Sequence, residues 1–147
     1  MKTSFLCAIC IAIFLLIAAI AKWLYPTYLP FHLDRIAICL EIIAAILITL
    51  FCRKAWAWAG LSILFSLWLG YTIFWFVQNK NCGCFGYALD RSAGITTAIN
   101  VIAIALSFWN WGLIEQNKKK KLLFIVIDGL AFLVGFLLAV WVGSLLA

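Results

Sequence analysis

Two cysteines separated by one glycine, in the run Cys82-Gly83-Cys84-Phe85-Gly86, are the side chains of this 147-residue chain best suited to do chemistry. A thiol pair exchanges with a partner by thiolate attack on a disulfide, through a mixed-disulfide intermediate. Closing a bridge requires Cα atoms about 4.4–6.8 Å apart. Residues two apart meet that requirement only if the backbone bends, and Gly83, which has no Cβ, permits the bend. Gly86 lets the chain turn away after Phe85. So small a ring is strained, and strained, exposed disulfides are the oxidising, exchange-prone ones. Lys80 and Arg91 add positive charge near the thiols, which favours the attacking thiolate. A redox pair is therefore the leading reading. A bridge from one of these cysteines to Cys39 or to another protein comes second. A soft thiolate site for Cu(I) or zinc comes third, because His32 alone offers a nearby nitrogen ligand; no metal site is assigned.

The rest of the chain explains how such a pair would be held. Hydrophobic residues make up 68% and charged residues 11%, whereas soluble domains are roughly half apolar. So much apolar surface needs lipid as its solvent. Five apolar stretches are separated by short polar ones, and with flanking residues they give spans at 5–25, 34–52, 55–77, 92–114 and 122–146. A spanning helix needs about 20 apolar residues, and no stretch alternates with the period of a strand, so helices are expected throughout. The predicted architecture is all-α: one membrane domain over residues 1–147, with a four-helix core and a C-terminal fifth span. Pro26 and Pro30 bracket the first loop and stop the first helix. Arg53-Lys54 makes so tight a turn that the second and third spans form an antiparallel hairpin.

The net charge of +6 does not indicate nucleic acid, because the basic residues lie between apolar runs. With the N-terminus inside, Lys2, Arg53, Lys54 and lysines 118–121 lie on the inner side, against Lys22, Arg35, Lys80 and Arg91 outside. That excess favours this orientation. It puts the Cys82–Cys84 loop in the oxidising compartment, as in a multi-pass protein of a bacterial inner membrane. Lys2, the first apolar run and Ala19-Ile20-Ala21 also resemble a secretory signal. That run is longer than a signal core and continues into Trp23-Leu24-Tyr25, an interfacial anchor, so an uncleaved span is expected. Trp23, Trp56, Trp58, Trp75, Trp109 and Trp111 sit near span ends and predict a headgroup-level belt in preference to a stacking site for a flat cofactor such as a quinone. Gly135, Ala139 and Gly143 recur every four residues, which suits either close helix approach or lipid-facing glycine.

Polar groups at membrane depth form the second set of candidates. Glu41 lies about six residues into the apolar run that begins at Ile36, roughly 9 Å deep at ~1.5 Å per residue. An intramembrane carboxyl is costly and marks a functional candidate. Asn100 is at similar depth in the fourth span, and Lys22 is in the last turn of the first. Together they can converge beneath the Cys82 loop, with Glu41 pairing to Lys22 and hydrogen-bonding to Asn100. The result is either a clasp that fixes packing or a proton relay or ligand site serving thiol chemistry. Cys39, near the same end, is a candidate resolving thiol. Cys7 and Cys10 have redox spacing but lie toward the reducing side, where buried cysteine is commonly inert, and Cys52 looks incidental. Asp128, far from this cluster, is expected to pair with or snorkel toward the lysine run.

These residues carry a family resemblance. Cys82-Gly83-Cys84-Phe85-Gly86 after a membrane span resembles the signature of MauE-type methylamine-utilisation membrane proteins, in the DoxX-like superfamily. Ala18-Ala19-Ile20-Ala21-Lys22 is similar to that group's small-residue-plus-lysine end of the first helix, with alanine where glycine is common before the lysine. Leu40-Glu41-Ile42-Ile43 is similar to its glutamate-bearing second helix, and Asn100 to the asparagine of the span after the loop. The resemblance covers about residues 5–113. It implies five helices and a part in maturing an extracytoplasmic protein, in the founding members the disulfide-rich small subunit of methylamine dehydrogenase. On this basis the chain is expected to be a membrane thiol–disulfide redox protein. Cys82 and Cys84 form its pair, and Gly83, Phe85, Gly86, Glu41, Asn100 and Lys22 support them. The expected partners are the lipid bilayer and an extracytoplasmic thioredoxin-like protein or disulfide-containing client, with a quinone as candidate electron acceptor and no nucleic acid. The alternatives are a non-enzymatic accessory protein with a structural disulfide, and a copper-handling membrane protein.

Overall fold

A computed structural model describes residues 2–25, 31–78, 93–115 and 117–145. Among them the chain forms five helices: α1 (Lys2–Leu24), α2 (Phe31–Phe51), α3 (Ala55–Val77), α4 (Ala93–Ile114) and α5 (Lys118–Leu145). No strand occurs among the described residues. The segment 79–92, which carries Cys82, Gly83, Cys84, Phe85 and Gly86 together with Lys80 and Arg91, lies outside the described residues.

Local chemistry sets the helix ends. α1 stops at Leu24, two residues before Pro26, because a residue preceding proline is pushed out of the helical region; Tyr25 N–H still donates to the Ala21 carbonyl at 2.9 Å. α2 starts at Phe31, directly after Pro30, and carries Asp34 in its first turn, where a negative charge suits the positive end of the helix dipole. The α2–α3 turn is as tight as the sequence demands. Lys54 N–H donates to the Phe51 carbonyl at 2.8 Å, and the Trp58 indole reaches back to the Cys52 carbonyl at 2.7 Å. α5 begins ahead of its apolar run because Asn117 caps it, its side-chain oxygen accepting from Lys119 N–H at 3.0 Å.

α3 is the central helix. It packs mainly on α5 and α4, while α1 packs mainly on α2, and α2 and α1 touch the other helices more sparingly. Apolar residues surround α3 on all sides, as suits a helix covered by neighbours. In lipid, apolar burial alone does not drive helices together, so close packing has to. The α3–α5 seam shows how. A Cβ on Gly70 would stand 2.0 Å from the Phe132 carbonyl oxygen, and one on Gly135 would stand 1.8 Å from that of Leu67. The two backbones therefore touch at reciprocal glycine notches. Ala139 is fully buried, and Gly143 lies against the Phe74 ring, so the small-residue stripe of α5 is an interface and not a lipid-facing surface.

Two packed regions result. One, near the α2–α3 turn, joins Ala8, Ile48, Cys52, Trp58, Trp111 and Phe124, with Trp111 and Phe124 ring centroids 4.5 Å apart. The other joins Tyr71, Trp75, Ala139 and Val142, with Leu33 of α2 and Trp68 against them. It lies where α2 begins and α3 ends. The expected tryptophan belt is thus corrected in half its members. Trp23, Trp56 and Trp109 are exposed, but Trp58, Trp75 and Trp111 are core residues, because their helix faces point at neighbouring helices even though they lie near helix ends.

Four helices are long and apolar enough to cross a membrane: Ser4–Leu24, Ala55–Val77, Gly94–Ile114 and Lys119–Ser144. By length and composition these four helices are consistent with a multi-pass membrane protein. α2 differs because every 18-residue stretch of it includes Asp34, Arg35 and Glu41. Its outward side is still apolar, with Ile36, Leu40, Ile43, Ile46 and Leu50 exposed.

Candidate functional site

The most unusual pairing in the described structure joins Lys22 of α1 to Glu41 of α2 as a direct ion pair, each side chain 4% exposed. Its geometry follows from helix direction. Cα–Cβ bonds tilt toward a helix's N-terminus. Lys22, near the end of α1, therefore leans down its own helix, and Glu41, further along the antiparallel α2, leans up toward the α1–α2 connection. The long lysine stem covers the remaining gap. Glu41 is the eleventh residue of the 21-residue α2, further from the helix start than the apolar run alone suggests, because α2 begins five residues before that run starts at Ile36.

α3 closes the site. The Lys22 ammonium lies 5.1 Å from the centroid of the Trp68 ring, within the range at which an aromatic face attracts a cation. Trp68 in turn meets Tyr71 edge to face, with centroids 6.2 Å apart. Three buried polar atoms here have no hydrogen-bond partner among the described residues: Glu41 Oε2, Trp68 Nε1 and Trp75 Nε1. Groups so placed are normally satisfied, so this part of the bundle has unspent hydrogen-bonding capacity.

Asn100 is buried on α4, but it does not reach Glu41. Its side-chain amide donates to Thr72 Oγ1 of α3 at 3.4 Å. The expected Asn100–Glu41 bond is thus replaced by a bond to the intervening central helix. Cys39 is exposed, which follows from its position two residues before buried Glu41, since residues two apart on a helix do not share a face. Its expected role as resolving thiol depends on Cys82 and Cys84, outside the described residues. Cys7 is half-buried, Cys10 exposed and Cys52 buried.

A second polar group lies between α3 and α5. Asp128 is buried, and its Oδ2 accepts from Ser66 at 2.8 Å and from Ser62 at 3.3 Å. The expected pairing is not formed with Lys119, Lys120 or Lys121. The ion pairs among the described residues are Lys22–Glu41 and Lys120–Glu115, and Asp128 turns inward to the serines because Ser62 and Ser66, four residues apart, share the α3 face that meets α5. Trp68, Thr72, Ser62 and Ser66 were not singled out by sequence. The signal that could have found Ser62 and Ser66 is two hydroxyl residues four apart on one face of an otherwise apolar helix, opposite an intramembrane carboxyl; no comparable pattern marks Trp68 or Thr72.

Comparison with known proteins gave no match to a family model, to a curated protein or to a solved structure.

Proposed function

We propose that this chain is a five-span membrane thiol–disulfide redox protein of the MauE type. In this reading it lies in a bacterial inner membrane with its N-terminus inside and Cys82 and Cys84 outside. The observation that supports the reading is the Lys22–Glu41 pair. Two residues that the resemblance singles out on separate helices meet in the half of the bundle where α3 ends and α4 begins, the ends from which the cysteine segment departs. Lys22 also makes α2 tenable as the fifth span, since it neutralises Glu41, while Arg35 stacks over the Trp23 ring at 4.0 Å and the apolar side of α2 faces outward.

In this function a client thiolate attacks the Cys82–Cys84 disulfide, forming a mixed disulfide and releasing one thiolate. A second client thiol then resolves it, leaving an oxidised client and a Cys82/Cys84 dithiol. Regenerating the disulfide passes two electrons and two protons to a membrane acceptor, for which a quinone is the fitting class. The partner is an extracytoplasmic thioredoxin-like protein or the client itself, in the founding family the small subunit of methylamine dehydrogenase.

The test is thiol trapping in native membranes. Cys84→Ser should accumulate a mixed disulfide through Cys82, and wild-type protein should cycle between alkylatable and protected forms when reductant is added and removed. A pair that stays protected throughout, with no trapped partner, would instead mark an accessory protein holding a permanent bridge.

A further inference from the structure

The end of the bundle opposite the candidate site carries more positive charge than the described acidic residues balance. Arg53 and Lys54 lie in the α2–α3 turn, and Lys119, Lys120 and Lys121 lie in the first turn of α5, which begins at Lys118. Both segments flank the same packed region, since Cys52, Ala57 and Trp58 share it with Trp111 and Phe124. Arg53, Lys54, Lys119 and Lys120 are exposed, and Arg53, Lys54 and Lys119 form no ion pair with a described residue. The acid close by is Glu115. Its Oε2 meets Lys120 at 3.7 Å and its Oε1 accepts from Asn117 N–H at 3.0 Å, so it answers one lysine of the run. Lys121 turns inward, with Nζ 3.5 Å from the Gly112 carbonyl, a common way to satisfy the last carbonyls of a helix.

The lysines at the start of α5 are arranged against the ordinary preference. The first turn of α5 holds no acidic residue, although that end of a helix favours negative charge and disfavours positive. Directly after the lysines come Leu122 and Leu123, both more than 60% exposed, and the exposed indoles of Trp56 and Trp109 lie on the neighbouring helices. Apolar side chains and interfacial tryptophans set the depth of the hydrocarbon boundary, so the unpaired cations stand at headgroup level. We propose that this end of the protein is a binding site for anionic phospholipid headgroups, in which the phosphates supply the negative charge that α5 and the α2–α3 turn lack. A soluble polyanion is a poorer fit, because the lipid-facing leucines adjoin the cations directly and accommodate acyl chains beside the phosphate.

The experiment is native mass spectrometry of the full chain released from detergent. It compares phosphatidylglycerol with phosphatidylcholine of the same acyl chains, and a short RNA serves as the soluble polyanion. Phosphatidylglycerol should be retained preferentially, and retention should fall as salt is raised, because exposed charges are screened beyond about 8 Å at physiological ionic strength. Replacing Lys119 and Lys120 with glutamine should weaken it by about twenty-five-fold, at about fivefold per charge. Adding Arg53→Gln and Lys54→Gln should weaken it further, and Lys119→Arg with Lys120→Arg should restore it. All these side chains are exposed, and thermal unfolding of each variant confirms that it folds. Equal retention of the two lipids, unchanged retention in the quadruple glutamine variant, or stronger binding of the RNA than of phosphatidylglycerol would each overturn the proposal.

Discussion

Lys22 and Glu41 neutralise each other inside the bundle, yet their surroundings treat them unequally. The ammonium has both a carboxylate and the Trp68 ring, whereas Glu41 Oε2 has no hydrogen-bond partner among the described residues. Removing one member of a buried pair leaves an uncompensated charge and costs about 3–5 kcal/mol, while removing both costs far less. Lys22→Met should therefore fall in that range. Glu41→Gln should cost less, because Trp68 still faces the ammonium, and the double variant should be more stable than Lys22→Met. Denaturant unfolding in mixed micelles measures all three. Equal losses in the two single variants would show that Trp68 gives the lysine no support.

The α3–α5 seam makes a contrasting prediction about glycine. Gly135→Ala and Gly70→Ala each place a methyl group within 2.0 Å of a backbone carbonyl on the facing helix, so the helices must separate. The expected cost is at least about 1–3 kcal/mol, as for overpacked cores. Gly129, on the same helix as Gly135, has open space where a Cβ would go, and Gly129→Ala should be neutral or slightly stabilising because alanine is the better helix former. Thermal unfolding of the three variants side by side separates packing from propensity.

Asp128 predicts an order among hydrogen bonds. Ser66 is nearer to its Oδ2 than Ser62. Interhelical hydrogen bonds within membranes average about 0.6 kcal/mol and reach about 1.7. Ser66→Ala should sit toward the upper figure and Ser62→Ala below it. Asp128→Asn, which keeps an acceptor for both hydroxyls, should be milder than Asp128→Ala. Chemical denaturation of the four variants checks the order, and a larger loss from Ser62→Ala than from Ser66→Ala would reverse it.

What the sequence made legible, and what it did not, follows from the kind of information each feature needs. Helix number and type rest on the length of apolar runs, which is local, and the Lys22–Glu41 pairing follows because two charges in neighbouring apolar helices have few other ways to be neutralised. The partner of Asn100 was not legible. Depth counting placed Asn100 and Glu41 at one level, but only the packing of α4 on α3, not on α2, decides that Thr72 stands between them. Asp128 failed similarly: its proximity in sequence to the lysines suggested a partner, while the serines that hold it lie on another helix. The buried Trp58, Trp75 and Trp111 show the same limit, since position along a helix is readable from sequence and the face that meets a neighbour is much less so.

Asn100 and Thr72 offer the sharpest separation of scaffold from redox function. Their bond is long at 3.4 Å, so losing it should cost under about 1 kcal/mol. Both Asn100→Leu and Thr72→Val break it, but only the first removes the amide from the half of the bundle where α3 ends. In the redox function proposed above, the amide would serve the acceptor side of the reaction. Reoxidation of Cys82 and Cys84, followed by alkylation after a reductant pulse, should slow by about tenfold in Asn100→Leu, equivalent to about 1.4 kcal/mol. Thr72→Val should stay close to wild type. A clasp that only fixes packing predicts the same small effect from both, so equal reoxidation rates in the two variants would remove Asn100 from the candidate site and leave it a structural residue.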